Sequence, residues 1–409
     1  MLALLRRRDF GLLWFAGLIS IAGDWILYAA LPFFVYERTG STIATAGMIV
    51  AQLLPSVALG SIAGVFVDRW DRKRILVVAN VLHAVVVALL VLVPSEGWIW
   101  VVYVVAAGQS AIAAFAGPAE TALLPTLVDE SELLPANAMN TLNNRLGRLV
   151  GASSGGVLLG VFGLEAVVLV DCASFLLAAV LIAPIAARFG RPTTDETATG
   201  IVHSKWDSFR RDWVDGFRAV RNDRTIALLF VVFGLGTFGG TMFDPLYAAW
   251  VRDVLEEGPG VYGTLITTHS ATGIVGTVLV GRYGARLSDR VLMGWSSIAA
   301  GVSNAVKFNV PVVPVAFGTS TVTGVTSVAA NVGMETLAMR TVRDELRGRV
   351  FGLLQAFIFL LSLLGALTGG ALAEVVGIVP MLSVAAGLIV LSGVVVLRAF
   401  AAASQSASA

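Results

Sequence analysis

Apolar residues run along this chain in long blocks separated by short polar segments. Twelve such blocks cover residues 10–36, 43–67, 75–94, 98–119, 143–162, 164–187, 225–250, 260–281, 291–309, 311–336, 350–373 and 377–399. About 20 mostly apolar residues suffice for a helix to cross a bilayer, so the pattern predicts twelve transmembrane helices. The first block follows Arg6, Arg7 and Arg8, as a signal peptide would. It is too long for a signal core, carries Asp24 in its middle and lacks a small-residue cleavage site, so it is expected to be a retained helix.

Composition supports the same picture. The 409 residues are 57% hydrophobic and 13% charged, and the 43 glycines lift the apolar share to about two-thirds. A water-soluble fold has too little interior to hide that surface. A soluble enzyme and a nucleic-acid-binding protein are thereby excluded. Cys172 is the sole cysteine and the histidines stand apart at 83, 203 and 269, so neither a disulfide nor a metal-ligand spacing is expected. No phosphate-binding Gly-x-x-x-x-Gly-Lys-Ser/Thr occurs, and no cofactor is implied.

The net charge of +1 says little until the charges are placed. With a cytoplasmic N-terminus, 25 of the 28 basic residues fall in cytoplasmic segments, and only Arg38, Arg252 and Lys307 fall outside. A miscounted span would scramble that alternation. Twelve spans with both termini cytoplasmic, in a cell (inner) membrane, is the expectation. Trp98, Trp100 and Trp250 are expected to be interface anchors.

The segment 188–224 divides the chain into an N-terminal six-helix bundle (1–187) and a C-terminal one (225–400), followed by a disordered tail (401–409). Within the loop, Trp206, Phe209, Trp213, Phe217 and Val220 recur at helical spacing among basic residues. That stretch suits a helix on the cytoplasmic leaflet or one packed on the protein's own inner face. The halves also echo each other. A shift of 214 residues superimposes Gly151, Gly155, Gly156, Leu158 and Gly163 on Gly365, Gly369, Gly370, Leu372 and Gly377. A shift across six spans preserves direction, so these are parallel repeats, an organisation suited to a rocking transporter with a midplane site.

The stretch Gly64-Val-Phe-Val-Asp68-Arg69-Trp-Asp71-Arg72-Lys73-Arg74, with a partial second copy at Gly281-Arg-Tyr-Gly-Ala285-Arg286, resembles the signature loop of the major facilitator superfamily. Gly23-Asp24-Trp25, Ala30-Leu31-Pro32, Pro125-Thr-Leu-Val128, Ala136-Asn137-Ala138, Val170-Asp171-Cys-Ala-Ser174-Phe175 and Asp344-Glu345-Leu346-Arg347-Gly348-Arg349-Val350 are similar to the branch holding macrolide-efflux and enterobactin-exporter proteins. The resemblance implies an all-α membrane protein of twelve helices in two parallel six-helix repeats. It further implies proton-coupled export of amphipathic small molecules by alternating access, with protons, a small-molecule substrate and the bilayer as partners and a monomer as the unit. Two departures stand out. Ala152 replaces the proline of the antiporter pattern in helix 5, and Ala285 stands where the first loop has Asp68.

The resemblance makes Gly64, Asp68, Arg69, Arg72 and Arg349 a conformational latch, with Asp68 beside the positive N-terminal end of helix 11. Orientation alone would also explain the basic residues. Asp24, in the middle of a span, suits a proton-coupling acid or an anchor for a cationic substrate, since a carboxylate there is costly and by default functional. Asp244, before a helix-breaking Pro245, and His269 are further coupling candidates. Glu120 and Arg145 complete the set, while Asp171 reads as structural or gate-lining. Gly151, Gly155 and Gly156 are expected to let helices approach closely. A lysolipid transporter, a nutrient importer and a non-transporting membrane sensor or scaffold remain the alternatives.

Overall fold

The computed structural model describes residues 2–93, 98–186 and 217–406. Among them the chain is helical throughout its length, in twelve long helices: α1 (Arg8–Thr39), α2 (Thr42–Arg69), α3 (Arg72–Ala88, extended by a 3-10 turn to Leu92) and α4 (Trp100–Leu123). The run Leu133–Ile182 breaks at Gly163 into α5 (133–162) and α6 (164–182). The second half holds α7 (Arg224–Asp253), α8 (Pro259–Tyr283), α9 (Asp289–Asn309), α10 (Val313–Thr341), α11 (Arg347–Val376) and α12 (Ile378–Ser406). Apolar side chains such as Val161, Phe162, Leu169, Val180 and Val375 stand outward on these helices, as a lipid-facing surface requires.

The helices depart from the apolar blocks in instructive places. The helix leading into α5 begins at Leu133, ten residues before its apolar block. Its polar residues serve themselves: Asn137 and Asn144 donate to the carbonyls of Leu133 and Asn140 at 2.9 and 3.0 Å. Helix α7 runs through Pro245 without a break, which corrects the expected interruption; membrane helices tolerate a proline where neighbours satisfy the freed backbone. Helix α12 continues to Ser406 through the helix-favouring Ala401, Ala402 and Ala403. The proposed interfacial helix falls mostly outside the described residues. Its described end, 217–222, is helical, and Ala219 and Val220 pack against the core that contains Ile226, Phe230 and Val350.

The chain divides into two compact units, Met1–Pro192 with Val251–Thr267, and Thr193–Trp250 with Thr268–Ala409. The border therefore cuts α7 and α8 near their shared turn rather than following the halves. In the first unit, Leu13, Ala16, Val67, Leu76, Ala119, Leu123 and Ala178 bring α1, α2, α3, α4 and α6 to one core. In the second, Leu229, Phe233, Met293, Ala338, Leu354 and Val396 do the same for α7, α9, α10, α11 and α12.

The repeat is visible in backbone angles as well as residues. Gly163 has φ 77° and ψ −177°, and its counterpart Gly377 has φ 100°. Both sit in a region open essentially to glycine alone, where another residue costs about 1–3 kcal/mol. Each reverses the chain between the fifth and sixth helices of its half. Gly163→Ala and Gly377→Ala should therefore each lower thermal stability, read as an earlier melting transition in detergent, whereas Gly64→Ala, at a position with open space around it, should not.

Candidate functional site

In the first unit the geometry begins with glycine. A Cβ at Gly151 would strike the Ala22 carbonyl and Trp25, and one at Gly155 would strike the Ile26 carbonyl. Helices α1 and α5 thus meet backbone to backbone, as small residues permit. The second unit repeats the contact: Gly365 faces Phe238 and Thr241, and Gly369 faces Met242. Gly156 points elsewhere, to Pro259 and Gly263 at the start of α8. Beside that contact the Tyr36 hydroxyl donates to Asp253 Oδ2, and Phe33 tilts against Tyr262 at 5.5 Å.

The close approach of α1 reaches α6 as well. A Cβ at Gly23 would overlap Ser174 Oγ and Asp171 Oδ1, so the neighbouring Asp24 is carried to the same layer. Asp171 is 0% exposed. Ser174 Oγ donates to the Asp171 carbonyl at 2.8 Å and to Asp171 Oδ1 at 3.4 Å, while Asp171 Oδ2 has no hydrogen-bond partner among the described residues. Asp24 is half-buried and close enough to act electrostatically on Asp171. Sequence reading kept these two acids apart; the structure brings them together.

The remaining candidates scatter. Two turns along α1 from Asp24, a Cβ at Gly17 would stand 3.4 Å from Asn143 Nδ2 and 3.8 Å from Glu120 Oε1. Asn143 is 1% exposed and donates to the Trp14 carbonyl, and the Trp14 indole donates to the Met139 carbonyl at 2.9 Å. Arg145 is exposed, and Arg148 lies 4.2 Å over the Trp25 ring. In the second unit, Asp244 is exposed and the His269 ring approaches Thr323 Oγ1 at 3.4 Å.

The signature loop does structural work that its motif alone did not specify. Arg72 donates to the Ala122 carbonyl at 3.0 Å, and Lys73 to the Ala183 and Ile185 carbonyls at 3.3 and 3.1 Å. Both cations thus cover the orphan carbonyls and negative dipole ends of α4 and α6. Asp71 caps α3 by accepting from the Arg74 amide at 3.0 Å. Arg7 joins the same end, pairing with Asp129 and Glu132 at 2.9 Å each; the hydrogen bond to Asp129 pushes its pKa up. Arg69 and Arg349 are exposed, and the side chain of Asp68 lies outside the described residues.

One aromatic assignment changes, and one basic residue gains an environment. Trp250 is not an interface anchor: it is 0% exposed, its indole donates to the Phe308 carbonyl at 3.3 Å, and Tyr247 stacks on it. Lys307, one of the three basic residues outside the cytoplasmic segments, is 5% exposed and lies 5.5 and 5.7 Å from the Tyr247 and Phe308 ring centres. A desolvated cation over aromatic faces gains about 2 kcal/mol. The signal was present in sequence as a lysine abutting Phe308 inside an apolar run.

Residues 1–408 match the model of the transmembrane secretion effector family of the major facilitator superfamily. The chain is 25% identical to macrolide efflux protein A of Streptococcus pyogenes, over 90% of this chain and 89% of that protein. It is likewise 25% identical to the multidrug efflux pump Tap of Mycobacterium tuberculosis, over 95% and 92%. Among solved structures, a bacterial homologue of the iron transporter ferroportin in an inward-facing state superposes with a TM-score of 0.75 at 16% identity, covering 96% of this chain and 98% of the other. The nucleoside transporter NupG gives 0.75 at 10% identity, over 95% and 98%; both show the fold alone. The chain is therefore a multi-pass membrane transporter, not an enzyme, and belongs to the transmembrane secretion effector family of the major facilitator superfamily.

Proposed function

We propose that this protein exports amphipathic organic molecules from the cytoplasm, using the proton gradient and alternating access. The observation that carries the coupling is Asp24, a half-buried carboxylate midway along α1 with no ion-pair partner among the described residues. Such a group is costly in a bilayer and is kept where it works. Efflux is favoured over import by the macrolide and multidrug pumps that align over nearly the whole chain. The distribution of basic residues supports an inner-membrane protein with both termini cytoplasmic, and two complete repeats in one chain suit a monomer.

In this reading Asp68, with Gly64, Arg69, Arg72 and Arg349, forms the latch that biases the two end states. Arg72 and Lys73 pin the loop to its own unit through the carbonyls they cap, leaving Asp68 to respond. A carboxylate at a helix N-terminus contributes about 0.3–1 kcal/mol, more when partly buried, which is enough to shift two states lying a few kcal/mol apart.

Purified protein in liposomes tests the proposal, with a radiolabelled macrolide and an imposed pH gradient. Transport that follows the gradient and stops when an ionophore collapses it is expected. Movement indifferent to the gradient would refute proton coupling, and transport of lysolipid with exclusion of the macrolide would refute the substrate class. Asp68→Asn should reach the membrane at the wild-type level yet transport several-fold more slowly; undiminished transport would remove the latch.

A further inference from the structure

We propose that Asp24 and Asp171 constitute a single proton-binding site, a carboxyl pair holding one proton between them, with Asp171 as its deeper member. This rests on reading Asp24 as the coupling acid and names the partner with which it works.

The observation that forces the question is the Asp171 carboxyl itself. It is 0% exposed, and one oxygen is served by Ser174 while Oδ2 has no protein partner among the described residues. An ionised carboxylate left that way is heavily penalised, because low-dielectric surroundings repay neither its hydration nor its charge. The other groups around the pair do not relieve it. On α6, Cys172 donates its thiol to the Ala84 carbonyl at 3.3 Å. On α3, His83 is engaged by Gln109 of α4 and stacks on Phe175 at 4.6 Å. On α5, Arg148 lies over Trp25, and Glu120 of α4 sits two turns away near Gly17. No cation is bonded to either aspartate among the described residues.

Gly23 makes the pairing possible. With no side chain there, α1 settles onto Ser174 and Asp171, and Asp24 is the next residue along the helix from that contact. Two carboxyls in such a place are most stable with one proton shared, the solution that paired aspartates adopt elsewhere. A divalent cation fits less well. Such ions take six or more oxygens, whereas here the Asp171 carboxyl and the Ser174 hydroxyl meet beneath Gly23 with Asp24 one residue along α1, and no group of three His, Cys, Asp or Glu side chains suited to a metal occurs among the described residues. The more exposed Asp24 would pass the proton in and out, and Asp171 would hold it in exchange.

Infrared titration of the full-length protein in detergent tests this without any transport substrate, so its failure is separate from a failure of the export assignment. The protonated-carboxyl stretch is followed with pH in the wild type, Asp24→Asn, Asp171→Asn and the double variant. A coupled pair titrates in two steps that belong to both acids. The acid remaining in each single variant should therefore titrate about one pH unit or more away from either wild-type step, the threshold for such coupling. Losses in the single variants that sum to the loss in the double variant would overturn the proposal. So would disappearance of both steps on adding manganese or calcium ions. Should Asp171→Asn fail to fold, Ser174→Ala keeps both acids and must move the same two steps; unmoved steps would also overturn it.

Discussion

Asp24→Asn is expected to give a protein that folds and melts at least as high as the wild type but no longer transports against a gradient in liposomes. The two halves of that result have opposite causes. A carboxylate near the middle of a span costs about 2.5–3.5 kcal/mol on translocon scales. The amide keeps the shape of the side chain, removes the charge and leaves the neighbouring Gly23 contact with Ser174 untouched. An acid held by an ion pair would show the reverse, since deleting one partner leaves the other charge unsatisfied, and Asp24 has no ion pair among the described residues. The decisive comparison is pH-driven transport of the labelled macrolide in wild-type and variant liposomes at matched protein content. A fall to the level of protein-free liposomes is expected for Asp24→Asn; a variant that still follows the gradient would eliminate this residue from coupling. Downhill movement of the macrolide should survive, because the amide blocks proton exchange without closing the path.

Much of this architecture was legible because the bilayer imposes length. Spanning helices need apolar runs of nearly fixed size, and the alternation of basic residues ties their number to their direction. Gly163 and Gly377, matched at the same shift as the packing glycines, lie at the chain reversals between the fifth and sixth helices, a role that their backbone angles disclose. The site was less legible for a different reason. Asp24 was identifiable as an acid out of place, but its distance from Asp171 depends on how α1 rotates against α6, and apolar blocks carry no rotational information when lipid and protein interior are equally oily. The rotation is fixed by Gly23, an unremarkable glycine until Ser174 is seen beneath it. The surroundings of Lys307 were hidden by the same ambiguity. A lysine near a helix end reads as facing water, yet the rings of Tyr247 and Phe308 enclose it. Arg72 and Lys73 were assigned to orientation and latching, and the carbonyls they cap on α4 and α6 become visible only when those helix ends converge.

The second large effect is expected at Gly156. Here a side chain would meet the Pro259 carbonyl oxygen, the Gly263 Cα at 2.6 Å and the Gly263 nitrogen at 2.7 Å. Those are backbone atoms, which cannot swing aside as a flexible side chain does, and Gly263 is equally crowded from the other direction by Gly156 Cα at 2.7 Å. Gly156→Leu must therefore lift the turn between α7 and α8 away from α5, at a cost of the order of 1–3 kcal/mol typical of overpacking. The bond from Tyr36 to Asp253 and the Phe33–Tyr262 contact lie in the same docked region and should be lost with it. In the proposed alternating-access cycle this docking would be made in one end state and broken in the other, so a variant barred from making it should be held in the undocked state. Transport by Gly156→Leu is expected to fall to background while the protein still elutes as a monodisperse species. In a Cys172→Ser background, a cysteine at position 262 should react with a water-soluble maleimide several-fold faster when Gly156 is replaced. Unchanged labelling together with normal transport would mean that α5 and α8 do not approach through these two glycines. Gly160→Ala supplies the contrast, because the nearest obstacle there is the Pro259 ring at 3.2 Å, a neighbour able to yield by a few tenths of an ångström, and its transport should remain close to that of the wild type.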